Sequence, residues 1–120
     1  MFTPLTVTEI QPMPRGVGTS IRLTVPDAAP PIEYAAGGGI FQIRELVVWL
    51  RDPEHRTDSQ TPMVTLHGVI TDRQGRPVWT VLETWTEELS LADAIESSEY
   101  LQQQSLTFTV EGSQGEVVPG

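Results

Sequence analysis

Cysteine, lysine and asparagine are all missing from the 120 residues, and each absence removes chemistry. Without cysteine there are no disulfides, thiolate nucleophiles or thiolate zinc sites, and the redox compartment stays undecided. Without lysine there is no Schiff-base catalysis and no phosphate-loop lysine. Glutamine occurs eight times while asparagine is absent, which points to codon bias more than to selection against deamidating residues. Positive charge is scarce as well: seven arginines face sixteen carboxylates for a net charge of −9. That is too little for counterion release on a phosphate backbone, so no nucleic-acid partner is expected. The longest apolar run is Leu46-Val47-Val48-Trp49-Leu50, far short of the roughly 20 residues of a membrane crossing. The amino terminus lacks a basic-then-apolar leader pattern. These features predict a soluble chain, virion or cytoplasmic, with no membrane partner and no signal peptide. The length matches one domain of about 100–200 residues.

What is present reads mostly as β-structure. Residues 1–18 hold Pro4, Pro12, Pro14, Gly16 and Gly18 around the β-like stretch Leu5–Ile10, and predict an extended amino-terminal arm with one edge strand. Residues 19–110 form a single β-rich domain, and residues 111–120, with Gly112, Gly115 and Pro119, a carboxy-terminal tail. Within the domain, Ser20–Val25 alternates with Ile21, Leu23 and Val25 on one face. Asp27–Gly39 contains Pro30, Pro31 and three consecutive glycines, which predicts a surface loop. Ile40–Leu50 reads as one strand, with Phe41, Ile43, Val47 and Trp49 on one face and Ile40, Leu46, Val48 and Leu50 on the other. Its second half is apolar on both faces, as in a central strand or one covered by a partner.

Met63–Thr71 and Val78–Thr86 predict a hairpin joined by Asp72-Arg73-Gln74-Gly75-Arg76-Pro77, whose Asp, Gly and Pro suit a tight turn. Ser90 followed by Asp93 forms a capping-box variant. It opens an amphipathic helix of about four turns with Leu91, Ala94, Ile95, Ser98 and Leu101 on one face. Leu106–Val110 is a final strand. The expected fold class is mostly β, a sandwich or small barrel of about six strands with one amphipathic α-helix near the C-terminus.

Charge is lopsided. Residues 1–76 carry all seven arginines against eight acids, whereas residues 77–120 carry eight acids and no base. The acidic part includes Glu83, Glu87, Glu88, Asp93, Glu96 and Glu99. One reading is an ordinary solvated face; the other is a docking surface for a basic partner. The helix ends in three glutamines with no cation on its dipole, so its stability must come from packing.

No catalytic or metal-binding set emerges. Asp52, Glu54, His55 and Asp58 share one loop but match neither an EF-hand nor an H-E-x-x-H helix, and Arg51 and Arg56 compete for the same carboxylates. His67 falls with Met63, Thr65, Val69 and Thr71 on the more polar strand face, without a neighbouring nucleophile or acid. Gly112-Ser113-Gln114-Gly115 is no nucleophile elbow, and Gly37-Gly38-Gly39 precedes a strand where a phosphate cradle would open a helix. Trp79 and Trp85 lie six residues apart with Val81 and Glu83 between them. Strict alternation puts all four on one face, either in a core or available to stack a ligand.

The segment Gly68–Val78, continuing to Glu83-Thr84-Trp85, resembles the G-x-V-x-D-x-x-G-x-P-V hairpin of transthyretin-like modules, including the intradiol dioxygenases. That family's iron site, two tyrosines followed by two histidines, is not carried over. Tyr34, His55, His67 and Tyr100 stand here in a different order.

Together these features predict a non-enzymatic structural subunit of a larger protein assembly, most concretely a virion protein such as a capsid decoration or tail component. Its partners would be other protein subunits, in a homo-oligomer or on a host particle, with no cofactor. Interface candidates are Leu46, Val48, Leu50, Trp79, Trp85, Glu87, Glu88, Glu96 and Glu99. The second reading is a carbohydrate- or peptide-binding β-module with a tryptophan face. A small metal-dependent enzyme using His55 and the acids beside it comes third.

Overall fold

The structure, a computed structural model, describes residues 3–102, 106–110 and 113–117. It is mostly β, with short helices near the carboxy terminus. Strands β1 (Thr3–Pro12), β2 (Gly18–Thr24), β5 (Glu45–Arg51), β6 (Val64–Thr71), β7 (Pro77–Trp85), β8 (Leu106–Val110) and β9 (Ser113–Val117) form one sheet in the order β7-β6-β5-β2-β1-β8-β9. Every neighbouring pair is antiparallel except β1 and β8, which run parallel. A separate hairpin, β3 (Ile32–Ala36) and β4 (Gly39–Ile43), and the helices α1 (Leu91–Ser97) and α2 (Glu99–Gln102) accompany the sheet.

The expected arm and tail are corrected here. Leu5–Ile10 belongs to a ten-residue strand inside the sheet, between β2 and β8. Residues 113–117 form β9 at the sheet edge. Pro4 and Pro12 each lack a donor, yet both sit near the ends of β1, where a missing amide costs little ladder.

The Asp27–Gly39 segment is likewise not a plain loop. Gly37 and Gly38 adopt φ of 58° and 80°, the paired left-handed conformation of a two-residue hairpin turn, and Ala36 faces Gly39 across it. The glycine run that argued against a strand is the turn that makes this hairpin. The expected single strand Ile40–Leu50 is broken at Arg44. Its carbonyl accepts from the Val25 amide at 2.7 Å, and its guanidinium donates to the carbonyls of Pro26 (2.9 Å) and Ala29 (3.1 Å). The break reverses side-chain parity, so Ile43 points into the core together with Leu46 and Val48.

One face of the sheet carries the core. Ile21 stands opposite Val48 and Leu23 opposite Leu46, then Val48 opposite Leu66 and Leu50 opposite Val64. Over this face lie Ile32, Ile43, Leu91, Ala94, Ile95 and Leu101, all buried. Each fully buried Leu, Ile or Val contributes about 1.5–3 kcal/mol of transfer free energy. Gly68 sits opposite Leu46 because a Cβ there would come within 2.7 Å of Ile43 Cδ1 and 3.2 Å of Leu82 Cδ1.

The helical stretch buries the expected face, Leu91, Ala94, Ile95, Ser98 and Leu101, but as two short helices and not one of four turns. Ser90 caps α1 by accepting from the Asp93 amide. Ser98 is extended (φ −66°, ψ 118°) and ends α1, while its Oγ accepts from the Leu101 amide at 3.1 Å, so it serves as the amino-terminal cap of α2. Glu83 on β7 completes this junction: one carboxylate oxygen accepts from Ser98 Oγ at 2.7 Å and from the Tyr100 amide at 2.5 Å.

Candidate functional site

The opposite, outer face of the sheet is where side chains remain available. Its rows follow from register: Arg22, Val47, His67 and Val81 stand side by side, as do Ser20, Trp49, Thr65 and Thr84, and Thr24, Glu45, Val69 and Trp79. The tryptophan pair expected on one face is split. A bulge between Leu66 and His67 makes Leu66 face Glu83 and His67 face Val81, leaving Leu82 as the extra residue on β7. One inserted residue reverses parity. Trp79 and Val81 therefore lie outside with His67, and Glu83 and Trp85 lie inside with Leu66 and Val64.

On the outer face Trp79 is 51% exposed and Val81 54%. Trp79 meets His67 edge-on at 6.2 Å and lies 6.0 Å beneath the Arg22 guanidinium. Arg22 is held between Glu9 (3.7 Å) and Glu45 (3.8 Å). These exposed ion pairs orient Arg22 more than they stabilise the fold. Arg51 stacks on Trp49 at 5.0 Å. Met13, Ser20, Val47, Trp49, His67 and Trp79 enclose a depression of about 250 Å³, apolar on most sides.

Two features of that depression carry chemistry. The Trp49 indole Nε1 is buried and, among the described residues, has no hydrogen-bond partner; an unmade bond of this kind costs about 1–3 kcal/mol. His67 Nε2 lies 2.8 Å from Thr65 Oγ1. Burial lowers its pKa from 6.5, so the ring is neutral at pH 7.

The interface candidates divide sharply. Leu46 and Val48 are fully buried on the core face and cannot meet a partner, which corrects the reading of a strand covered from outside. Their neighbours Val47 and Trp49 lie on the outer face instead, where Val47 is buried and Trp49 half-buried. Leu50 is half-buried and lines a 540 Å³ groove with Arg51, Asp52 and Glu88. Trp85 is half-buried against the core. Glu87, Glu88, Glu96 and Glu99 are exposed, but Glu88 belongs to the groove beside Leu50 and Glu99 to another beside Trp85 and Tyr100.

The polar loop is organised differently from its expected carboxylate pairing. Arg56 donates to the carbonyls of Asp58 and Ser59 and Arg51 to that of Pro62. Asp52, Glu54, His55 and Asp58 are all exposed, and among the described residues no three His, Asp or Glu side chains gather as a metal site. Tyr34 and Tyr100 pack edge-on at 6.0 Å. The Tyr100 hydroxyl donates to the Glu33 carbonyl, and its pKa is pushed up to about 12 by burial first and then by Tyr34 and Glu33. Both tyrosines border the core, on the far side of the sheet from His67.

Among the described residues no helix is long and apolar enough to cross a membrane. Comparison with protein-family models, with curated proteins and with solved structures gives no match.

Proposed function

We propose that this chain is a non-enzymatic structural subunit of a larger protein assembly, and that it meets its partner through the outer face of the sheet at β7. The observation that supports this reading most is the exposure of Trp79 and Val81 side by side on an edge strand. A large aromatic and a β-branched residue held in water beside backbone groups that, among the described residues, have no ladder partner form a surface suited to a protein partner. The most concrete form, a virion component such as a capsid decoration or tail protein, draws its support from the lopsided charge of the sequence.

The test is solution mass by light scattering over a wide range of protein concentration, at low and at physiological salt. A discrete species larger than the monomer supports the reading. A monomer under every condition refutes it for a self-assembling subunit.

A second reading is favoured by the depression between Trp49 and Trp79. An unpartnered indole donor among apolar walls suits a ligand with a carbonyl acceptor on an apolar body, as in an extended peptide. A sugar would demand several polar partners for its hydroxyls, and only Ser20, His67 and the indoles of Trp49 and Trp79 offer polar side-chain groups in the lining. Titration with peptides, followed by tryptophan fluorescence, tests this: loss of the response in Trp79→Ala with the fold intact supports it, and an unchanged response refutes it.

A further inference from the structure

We infer that β7 pairs antiparallel with β7 of a second copy of this chain across a two-fold axis, continuing the sheet. The inference rests on the assembly reading above and names its partner. Among the described residues no strand lies beyond β7, so the backbone groups along its far side have no ladder partner. Edge strands ordinarily resist such pairing with lysines, inward-turned charges or prolines. Of these devices β7 has a proline only at its first residue and one inward-turned charge, Glu83, whose carboxylate is already bonded to Ser98 and Tyr100 and is not left unpaired by an added strand; its outer face from Val78 to Val81 carries no charge. For a chain of net charge −9, whose copies repel over most of their surface, β7 is a strip along which no like charges meet.

The ends of the strand select the orientation and the partner. The turn before β7 carries Arg73 together with Arg76 and Asp72, the last two paired with each other at 3.1 Å, so Arg73 is the charge it offers; the segment after β7 carries Glu87 and Glu88. Arg73, Glu87 and Glu88 are exposed. Parallel pairing would set arginine beside arginine and glutamate beside glutamate. Antiparallel pairing sets each arginine end beside the glutamate end of the other copy, twice over, and only a second copy brings both halves of that match. A two-fold axis at Thr80 places Trp79 opposite Val81 of the second copy, a favourable aromatic and β-branched pair, and brings the turn carrying Arg73 toward the Glu87 end of the other copy. The bulge at Leu82 keeps the ladder short, from Val78 to Leu82, so the dimer is weak and fills only as concentration rises.

Sedimentation velocity over about a thousand-fold concentration range tests this. The parent chain should pass from monomer to dimer, less readily at high salt. Val81→Lys should stay monomeric with its urea midpoint unchanged, because that side chain is half in water. Ile40→Lys, at a residue 70% exposed on the β3–β4 hairpin, should dimerise as the parent does. Arg73→Glu and Glu87→Arg should each weaken the dimer about fivefold, and the two together should restore it. An oligomer that Val81→Lys leaves intact overturns the inference while the assembly reading stands. A parent chain that forms no oligomer overturns the inference and, with it, the self-assembling form of the assembly reading.

Discussion

Glu83 offers the most direct test of how the two short helices are held. Its carboxylate accepts from Ser98 Oγ at 2.7 Å and from the Tyr100 amide at 2.5 Å, and Ser98 is fully buried. In Glu83→Ala both donors lose their acceptor. Hydrogen bonds to a charged group are worth about 1.5–3 kcal/mol each. Glu83 is only half-buried, so water can replace part of what is lost and the low end applies. The expected destabilisation is about 3 kcal/mol for the pair, which with a urea slope of about 2 kcal/mol/M lowers the midpoint by about 1.5 M. Glu83→Gln keeps one acceptor oxygen without the charge and should lose about half as much. Ser98→Ala combined with Glu83→Ala should fall short of the sum of the single changes, because the two residues share one bond. Equilibrium urea unfolding of the four variants supplies the assay. A Glu83→Ala chain within about 0.5 kcal/mol of the parent would show that the carboxylate does not hold the junction, and a Glu83→Gln chain as weak as Glu83→Ala would remove the hydrogen-bond argument.

Three further outcomes follow from the same geometry. Trp85→Ala should cost about 2–3 kcal/mol through lost packing against the core, whereas Trp79→Ala should change the urea midpoint little; equal losses would contradict the parity reversal at Leu82. Gly68→Ala should destabilise by about 1–3 kcal/mol through overpacking against Ile43, and Ile43→Val should recover part of it, since the nearest atom is the end of that side chain. His67 carries a folded-state pKa below its unfolded value of 6.5, so the unfolded chain binds the proton first. Its contribution to stability is complete above pH 6.5 and is lost as the pH falls through the lowered folded value; His67→Gln should flatten urea midpoints measured between pH 7.5 and 5.5 relative to the parent, and parallel curves would refute this.

Local signals were legible wherever they bore on a few neighbouring residues. The β6–β7 hairpin was readable because Asp72 and Gly75 write its turn: the Asp72 carboxylate accepts from the amides of Gln74 and Arg76, and Gly75 takes φ of 78°. The buried face of the helical stretch was readable because Ser90 sets its start and 3.6-residue periodicity its core side. By contrast, the β3–β4 turn was hidden under a composition that reads as loop, although Gly-Gly in a two-residue turn is a hairpin signal in its own right.

The candidate surface was less accessible to sequence reading, because each error was one of parity. Alternation along Ile40–Leu50 assumes an unbroken strand, and Arg44 breaks it; alternation from Trp79 to Trp85 assumes no extra residue, and Leu82 is one. A single displaced residue moves every following side chain to the other face, which sent Leu46 and Val48 to the core and brought Val47, Trp49 and His67 beside Trp79. Sequence alone determined the mostly β class, the β6–β7 hairpin, the capped and one-sided helical stretch, and the unequal division of charge, since propensity, turn chemistry and composition act over a few residues. Only the tertiary structure decided which face of each strand meets water and which strand stands at the edge, because breaks, bulges and strand order are set by packing between segments far apart in the chain.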